Sequence, residues 1–157
     1  MGKHEVEEWL RGTGRDDLAI MEFPVSSATV ELAAKAVGVE PELIAKTIAC
    51  RLKDRDVLVV MSGTARLSNQ KFKNMFGCKV KMLIPEEAKA ITGHSVGGVC
   101  PFGLKNPVPV YLDKSMAVYE YIYPAAGEAN NAIKIKVSEF AELCGGEWVD
   151  VTEQRDS

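Results

Sequence analysis

Ile44-Ala45-Lys46-Thr47-Ile48-Ala49-Cys50-Arg51-Leu52, the charged turn Lys53-Asp54-Arg55-Asp56 and the arm Val57-Leu58-Val59-Val60-Met61 read together as a β-hairpin. The second arm is apolar on both faces, which places it inside a sheet covered on both sides. On the first arm, the alternation of side chains along a strand sets Lys46 beside Ile48, Cys50 and Leu52, with Thr47, Ala49 and Arg51 pointing the other way. A lysine at the edge of a core-facing side has two readings. Its stem can lie buried while the ammonium reaches water, or the ammonium faces a pocket and is completed by an anion or acquires a depressed pKa.

Working outward, Val6, Trp9 and Leu10 before Gly12 have the spacing of a short amphipathic helix, and Ala19 to Phe23 reads as a strand. A second helix carries Val30, Ala33, Ala34 and Val37 on one side, is capped by Ser26 or Ser27 and stops at Gly38, with a helical turn or loop at Pro41 to Leu43. Beyond the hairpin, Ser68 caps a helix with Phe72, Met75 and Phe76 inward, and Gly77 ends it. Val80 to Ile84 reads as a strand, and Pro85-Glu86-Glu87 opens a helix that ends at Gly93. Val108 to Leu112, Val118 to Tyr123 and Ala132 to Val137 read as strands, followed by a helix from Ser138 to Cys144 and a strand at Trp148 to Val151. Strands neither alternate strictly with long helices nor come in one block. The expected fold is therefore α/β, with a mixed, largely antiparallel sheet curled towards a barrel and helices around it.

The 157 residues suit one domain, taken as residues 1–157, with disorder expected only in the last few polar residues, Glu153 to Ser157. The charged start Met1-Gly2-Lys3-His4-Glu5 is not followed by the apolar run of a secretory signal, and no window approaches a membrane span, so a cytoplasmic protein without a membrane partner is expected. Cys50, Cys78, Cys100 and Cys144 are widely spaced and read as reduced thiols. A net charge of -3 argues against nonspecific coating of nucleic acid. Yet Val57 to Pro85 holds no Asp or Glu while carrying Arg66, Lys71, Lys73, Lys79 and Lys81, either a solvated face or a patch that meets phosphates.

Thr92-Gly93-His94-Ser95-Val96-Gly97-Gly98-Val99-Cys100-Pro101-Phe102-Gly103-Leu104 is a glycine-rich loop, either a tight connection or a cradle whose backbone N–H groups meet a ligand. Four blocks in order resemble the YbaK/EbsC family: Ile44 to Ile48, Val59 to Gly63, Gly93 to Leu104, and Ala126-Gly127-Glu128-Ala129-Asn130. That family comprises free-standing aminoacyl-tRNA deacylases related to the editing domain of bacterial prolyl-tRNA synthetases, and the resemblance runs from about Ser26 to Val151.

The resemblance implies a domain that hydrolyses the ester of a mischarged tRNA, typically tRNA(Pro) carrying a small amino acid such as Ala, Cys, Ser or Thr. Aminoacyl-tRNA is then the substrate, and a prolyl-tRNA synthetase is a candidate partner. Lys46 matches the lysine thought to hold the terminal adenosine, and Gly97 and Pro101 match the G-x-x-x-P motif whose backbone binds the aminoacyl end, with Gly98 beside it. His94, Val99, Cys100, Phe102 and Gly103 in the same loop, Ser62 at the strand end and Asn130 in the last block are the expected substrate contacts. Lys71, Lys73, Lys79 and Lys81 are the expected tRNA contacts. Cys100 stands where Ser or Thr is common, which leaves the acyl preference open, and oligomeric state is equally open.

The chemistry itself needs neither metal nor cofactor, and the sequence has no His/Asp/Glu cluster with metal spacing. An ester is already activated, so backbone donors that stabilise the oxyanion and an admitted water suffice; one such donor contributes about 10²- to 10³-fold. Two rivals stand beside this reading: a thiol hydrolase using Cys100 as nucleophile and His94 as base, and a non-catalytic module that binds tRNA or a synthetase.

Overall fold

The computed structural model of the protein describes residues 2–154. Helix α1 (Gly2–Gly12) is followed by β1 (Ile20–Glu22), α2 (Val30–Val37) and a 3₁₀ turn at Pro41–Leu43. The hairpin strands β2 (Ile44–Arg51) and β3 (Asp56–Ser62), the short β4 (Ala65–Leu67), α3 (Asn69–Phe76) and α4 (Pro85–Thr92) come next. The chain ends with β5 (Val110–Asp113), a 3₁₀ turn at Lys114–Met116, β6 (Tyr121–Pro124), β7 (Asn131–Ile133), β8 (Ile135–Lys136), α5 (Val137–Cys144), β9 (Glu147–Val149) and β10 (Thr152–Gln154).

The main sheet has six strands in the order β8-β6-β2-β3-β5-β9, so the hairpin forms its centre, as the apolar second arm requires. β2 and β3 pair antiparallel from Ala45↔Ser62 to Arg51↔Asp56, whereas β2–β6, β3–β5 and β5–β9 are parallel. Antiparallel pairs β1–β7 and β4–β10 flank this mixed, curled sheet. Both of its faces are covered. Ala45, Ala49, Leu58, Val60 and Leu112 pack with Val6, Phe102, Ile133 and Phe140 on one side. Cys50, Leu52, Val57, Val59 and Met61 pack with Phe72, Val149 and Val151 on the other. The face of the first arm that carries Ala49 is thus as much a core face as the one that carries Cys50, which the alternation of β2 alone does not reveal.

Several boundaries differ from the sequence expectation, each for a local reason. The N-cap of α2 is Thr29, whose side chain accepts from the Leu32 N–H at 3.2 Å, rather than Ser26 or Ser27; those two lie in the extended segment tied to Ala129. Ser68 caps α3 as expected, but Met75 is exposed and only Phe72 and Phe76 turn inward. Ala132 to Val137 divides into β7 and β8 at Lys134, although Ile133, Ile135 and Val137 are all buried. Val118 is exposed and precedes β6. Glu153 belongs to β10, opposite Arg66, while 155–157 of the expected polar end lie outside the described residues.

Val80 to Ile84 is not a strand. It makes one bridge, Cys50↔Met82, with hydrogen bonds from Arg51 N to Lys81 O (2.8 Å) and from Leu83 N to Ala49 O (2.9 Å). Arg51 reinforces this attachment by pairing with Asp56 and with Glu87 of α4 at 3.0 and 2.9 Å, and Glu87 also accepts the Ile84 N–H. The consequence is a gap on the outer edge of β2. Its start pairs with β6 through Ile44 and Ala45, its end with Met82 through Cys50, and between them Lys46 to Ile48 has no strand pairing on that edge among the described residues. Because outward-pointing backbone groups alternate along an antiparallel ladder, and Ala49 and Arg51 point outward, Thr47 directs its N–H and C=O into the gap.

Candidate functional site

A cavity of about 400 Å³ occupies this gap. Lys46 reaches it from one face of the sheet and Thr47 from the other, so the unpaired edge brings together two neighbours that a covered strand would hold apart. Small residues form much of the wall, Ala28, Ala33, Ala45, Ala49, Ala88 and Ala132 among them. The half-buried Lys46 donates from Nζ to the Gly63 carbonyl at 3.2 Å, which holds its stem along the wall.

The glycine loop closes the cavity from the side of the Ser27-Ala28-Thr29 segment. Its ends are tied by the Lys105 N–H to the Thr92 carbonyl (3.0 Å), and Thr92 Oγ1 accepts the His94 N–H (3.1 Å) while donating to Ala88 O (2.7 Å). Gly97 has φ of 84° and lies so close to Ala28 that a Cβ would come within 2.8 Å of the Ala28 Cβ. Only glycine suits both demands. Gly98 is wedged against the Gly127-Glu128 backbone, where a Cβ would come within 2.5 Å of Glu128 N.

Of the residues expected from sequence, Lys46, Gly97 and Val99 line the cavity. Gly98 stands behind the wall, with its N–H given to Ser95 O (2.9 Å) and its carbonyl accepting from Gly127 N (3.0 Å), so it is a brace rather than an oxyanion donor. Ser62 is buried elsewhere, its hydroxyl donating to Glu42 O at 2.7 Å. Asn130 is exposed and donates to Phe23 O; the cavity residue is its neighbour Asn131. Asn131 is buried and accepts from the Ala126 and Glu128 N–H groups at 3.0 and 3.3 Å, holding the last of the four blocks in shape. Choosing between adjacent asparagines needs the register of β7, which puts Asn131 opposite Glu22.

The rest of the loop faces inward or away. Phe102 is fully buried between Trp9 and Phe140, with ring centroids at 5.5 and 5.9 Å. Pro101 and Gly103 line a separate groove beside Trp9. Cys100 is fully buried, its Sγ 3.6 Å from Phe102 O, and burial pushes its thiol up to about 12. A thiol in that state supplies almost no thiolate at neutral pH, and with Cys100 outside the cavity the Cys100/His94 hydrolase has no nucleophile.

His94 is likewise a brace. It is buried at 1% exposure, and Nε2 lies 2.7 Å from the Phe102 carbonyl, the geometry of a neutral ring that donates from Nε2. Burial lowers its pKa, with the Phe102 bond and Glu5 opposing. A folded pKa below the unfolded value of 6.5 means that the unfolded chain binds the extra proton first. Stability from His94 is therefore complete above pH 6.5 and is lost as pH falls towards the folded pKa. Urea midpoints of the parent should drop between pH 7.5 and 5.5, and His94→Gln should flatten that drop.

The basic stretch divides as well. Lys71 is held by Asp150 at 3.1 Å and by the Thr152 carbonyl at 2.9 Å, joining α3 to the C-terminal segment, and Arg66 pairs with Glu153. Lys73, Lys79 and Lys81 are exposed. Among the described residues no helix is long and apolar enough to cross a membrane.

The fold and cavity define a class of small mixed α/β domain with a cavity at an unpaired strand edge, lined by a lysine and part of a glycine loop. The chain belongs to the aminoacyl-tRNA editing domain family, whose profile matches residues 25–143. It is 42% identical over 134 residues to the uncharacterised protein YwhH of Bacillus subtilis, covering 84% of this chain and 85% of that one. It is 29% identical over 126 residues to EbsC of Enterococcus faecalis, described as a candidate Cys-tRNA(Pro)/Cys-tRNA(Cys) deacylase, covering 79% and 77%. A crystal structure described as that of a candidate trans-editing enzyme for prolyl-tRNA synthetase superposes with a TM-score of 0.90 at 30% identity, covering 97% of both chains.

Proposed function

We propose that this protein is a trans-editing hydrolase that deacylates mischarged aminoacyl-tRNA, with tRNA(Pro) carrying a small amino acid as its substrate. The observation that carries the reading is the convergence of Lys46, Gly97 and alanine-rich walls on one cavity at the open edge of β2. Its volume falls in the range of about 300 to 1,000 Å³ typical of small-ligand sites. Lys46 is suited to hold an oxygen of the terminal nucleotide, and the small walls to receive the acyl group. Backbone N–H groups at the edge, Thr47 among them, are the donors available to a developing oxyanion. A water, oriented with the help of the terminal ribose hydroxyl, attacks the ester carbonyl; the C–O bond to the ribose breaks, and the proton passes to the departing ribose oxygen. Selection by size suits a second, hydrolytic step, since one methylene changes binding by only about 1 to 3 kcal/mol.

The deciding experiment incubates the purified protein with tRNA(Pro) charged in turn with Ala, Cys, Ser, Thr and Pro. Release of a small amino acid with Pro spared is the expected result; tight binding without turnover would make the protein a binding module. If Lys73, Lys79 and Lys81 meet the tRNA backbone, changing all three to Gln lowers the slope of log K against log salt by roughly 2, at about 0.7 per contact to a single strand. An unchanged slope returns them to a solvated face.

A further inference from the structure

Two hydroxyls on the cavity wall have no hydrogen-bond partner among the described residues: Ser27 Oγ and Thr47 Oγ1. Ser27 is only 7% exposed, and its backbone is fixed by the N–H to Ala129 O bond at 2.7 Å, next to the Ala28 against which Gly97 packs. Thr47 sits on β2 between Ala45 and Ala49, on the face that belongs to the main core, so its hydroxyl lies at the buried end of the cavity. Buried hydroxyls in native proteins are almost always paired, and each unpaired one opposes folding. Their shared position on one ligand-sized cavity points to a ligand group that completes them.

Building on the editing reading, we infer that Thr47 and Ser27 select an acyl group bearing a side-chain hydroxyl, so that seryl and threonyl esters are preferred over alanyl. The chemistry of the wall narrows the choice. Among the described residues no Asp or Glu lines the cavity and Lys46 does, which disfavours an ammonium group as the partner of these hydroxyls. A neutral hydroxyl can donate to one of them and accept from the other. The methyl of an alanyl group can do neither and leaves both unpaired in its complex, whereas a thiol is a weak donor and acceptor. A site built to hydrogen-bond a substrate hydroxyl discriminates against the analogue that lacks it more strongly than a cavity shaped only for size.

The test is single-turnover hydrolysis of seryl-, threonyl-, alanyl- and cysteinyl-tRNA(Pro) by the parent, Thr47→Val, Ser27→Ala and Thr47→Ser, each checked for folding by its melting temperature. The parent is expected to cleave the seryl ester at least about tenfold faster than the alanyl ester. The seryl-to-alanyl ratio should fall about tenfold in Thr47→Val, fall in Ser27→Ala, and be largely kept in Thr47→Ser. Should Thr47→Val not fold, Ser27→Ala and Thr47→Ser decide on the same ratio. A parent that cleaves alanyl or cysteinyl esters fastest, or variants whose ratio matches the parent's, overturns the inference and leaves the editing reading intact. A parent inert towards all four esters overturns both.

Discussion

Lys46→Ala is expected to lower single-turnover ester hydrolysis on the order of 10²-fold while the melting temperature stays close to the parent's. The rate effect follows from position. Lys46 lines the cavity together with Gly97 and Val99 of the glycine loop, and if its ammonium anchors the terminal nucleotide, losing it lets the ester shift relative to the donors; a displacement of about 1 Å costs on the order of 10²-fold. The small stability effect follows from what the side chain does in the folded chain: a half-buried ammonium donates to Gly63 O at 3.2 Å. Removing it gives up that bond but also relieves the desolvation of a half-buried charge, and the two act against each other. Lys46→Met separates the contributions, since it keeps most of the stem and removes only the charge. A folded Lys46→Ala protein that hydrolyses the ester at the parent rate would reduce Lys46 to a snorkelling side chain and move the site elsewhere.

Gly98→Ala is expected to destabilise the fold markedly through the glycine loop. The added Cβ would come within 2.5 Å of Glu128 N, 2.6 Å of Gly127 C and 2.7 Å of Glu128 Cα, all atoms of the main chain. A flexible side chain could yield to such a contact, but here the two backbone segments must separate, breaking the Gly127 N to Gly98 O bond of 3.0 Å. Overpacking of this kind costs about 1 to 3 kcal/mol, and the lost bond adds about 1 kcal/mol. For a chain of this length, roughly 3 kcal/mol lowers the melting temperature by about 6 to 12 °C. Hydrolysis should fall with it even well below the melting temperature, because Gly97 and Val99 lie on the cavity wall to either side. Gly145→Ala serves as the comparison. That glycine, unlike Gly98, has a positive φ, of 67°, but nothing lies within 4 Å of an added Cβ, so only the backbone strain is felt. Equal melting temperatures for the two variants would show that the loop is not clamped where Gly98 meets Glu128.

Local patterns carried much of the fold. The hairpin, the helix stops at Gly38, Gly77 and Gly93 with φ of 87°, 77° and 82°, and the Ser68 cap are set by residues a few positions apart, and each stands where its neighbours require. Local pattern and structure part where a short apolar run has two possible fates. Val80 to Ile84 has the composition of a strand, yet Met82 and Ile84 are more than half exposed, and only one bridge joins the segment to β2. A single missing stretch of ladder separates a strand from a cavity wall, and no window of sequence records it.

The sequence by itself determined that a mixed sheet forms around a central hairpin, that Lys46 stands out of pattern on it, and that the glycine loop is built for close approach. These are properties of periodicity, charge and the absence of Cβ atoms. Only the tertiary structure decided which side chains meet. Asn131 rather than Asn130 reaches the cavity because the register of β7 turns it inward. Lys71 is spent on Asp150, 79 positions away along the chain, and Asp113 takes the Val151 N–H and the Thr152 hydroxyl at 2.8 and 2.6 Å. His94, Cys100 and Phe102 lie in the same loop as Gly97 but turn into the core, because a loop with its ends tied together has an inside as well as a rim. Which residues take the inside is settled by the helices α1 and α5 that pack against Phe102, not by anything in the loop's own sequence.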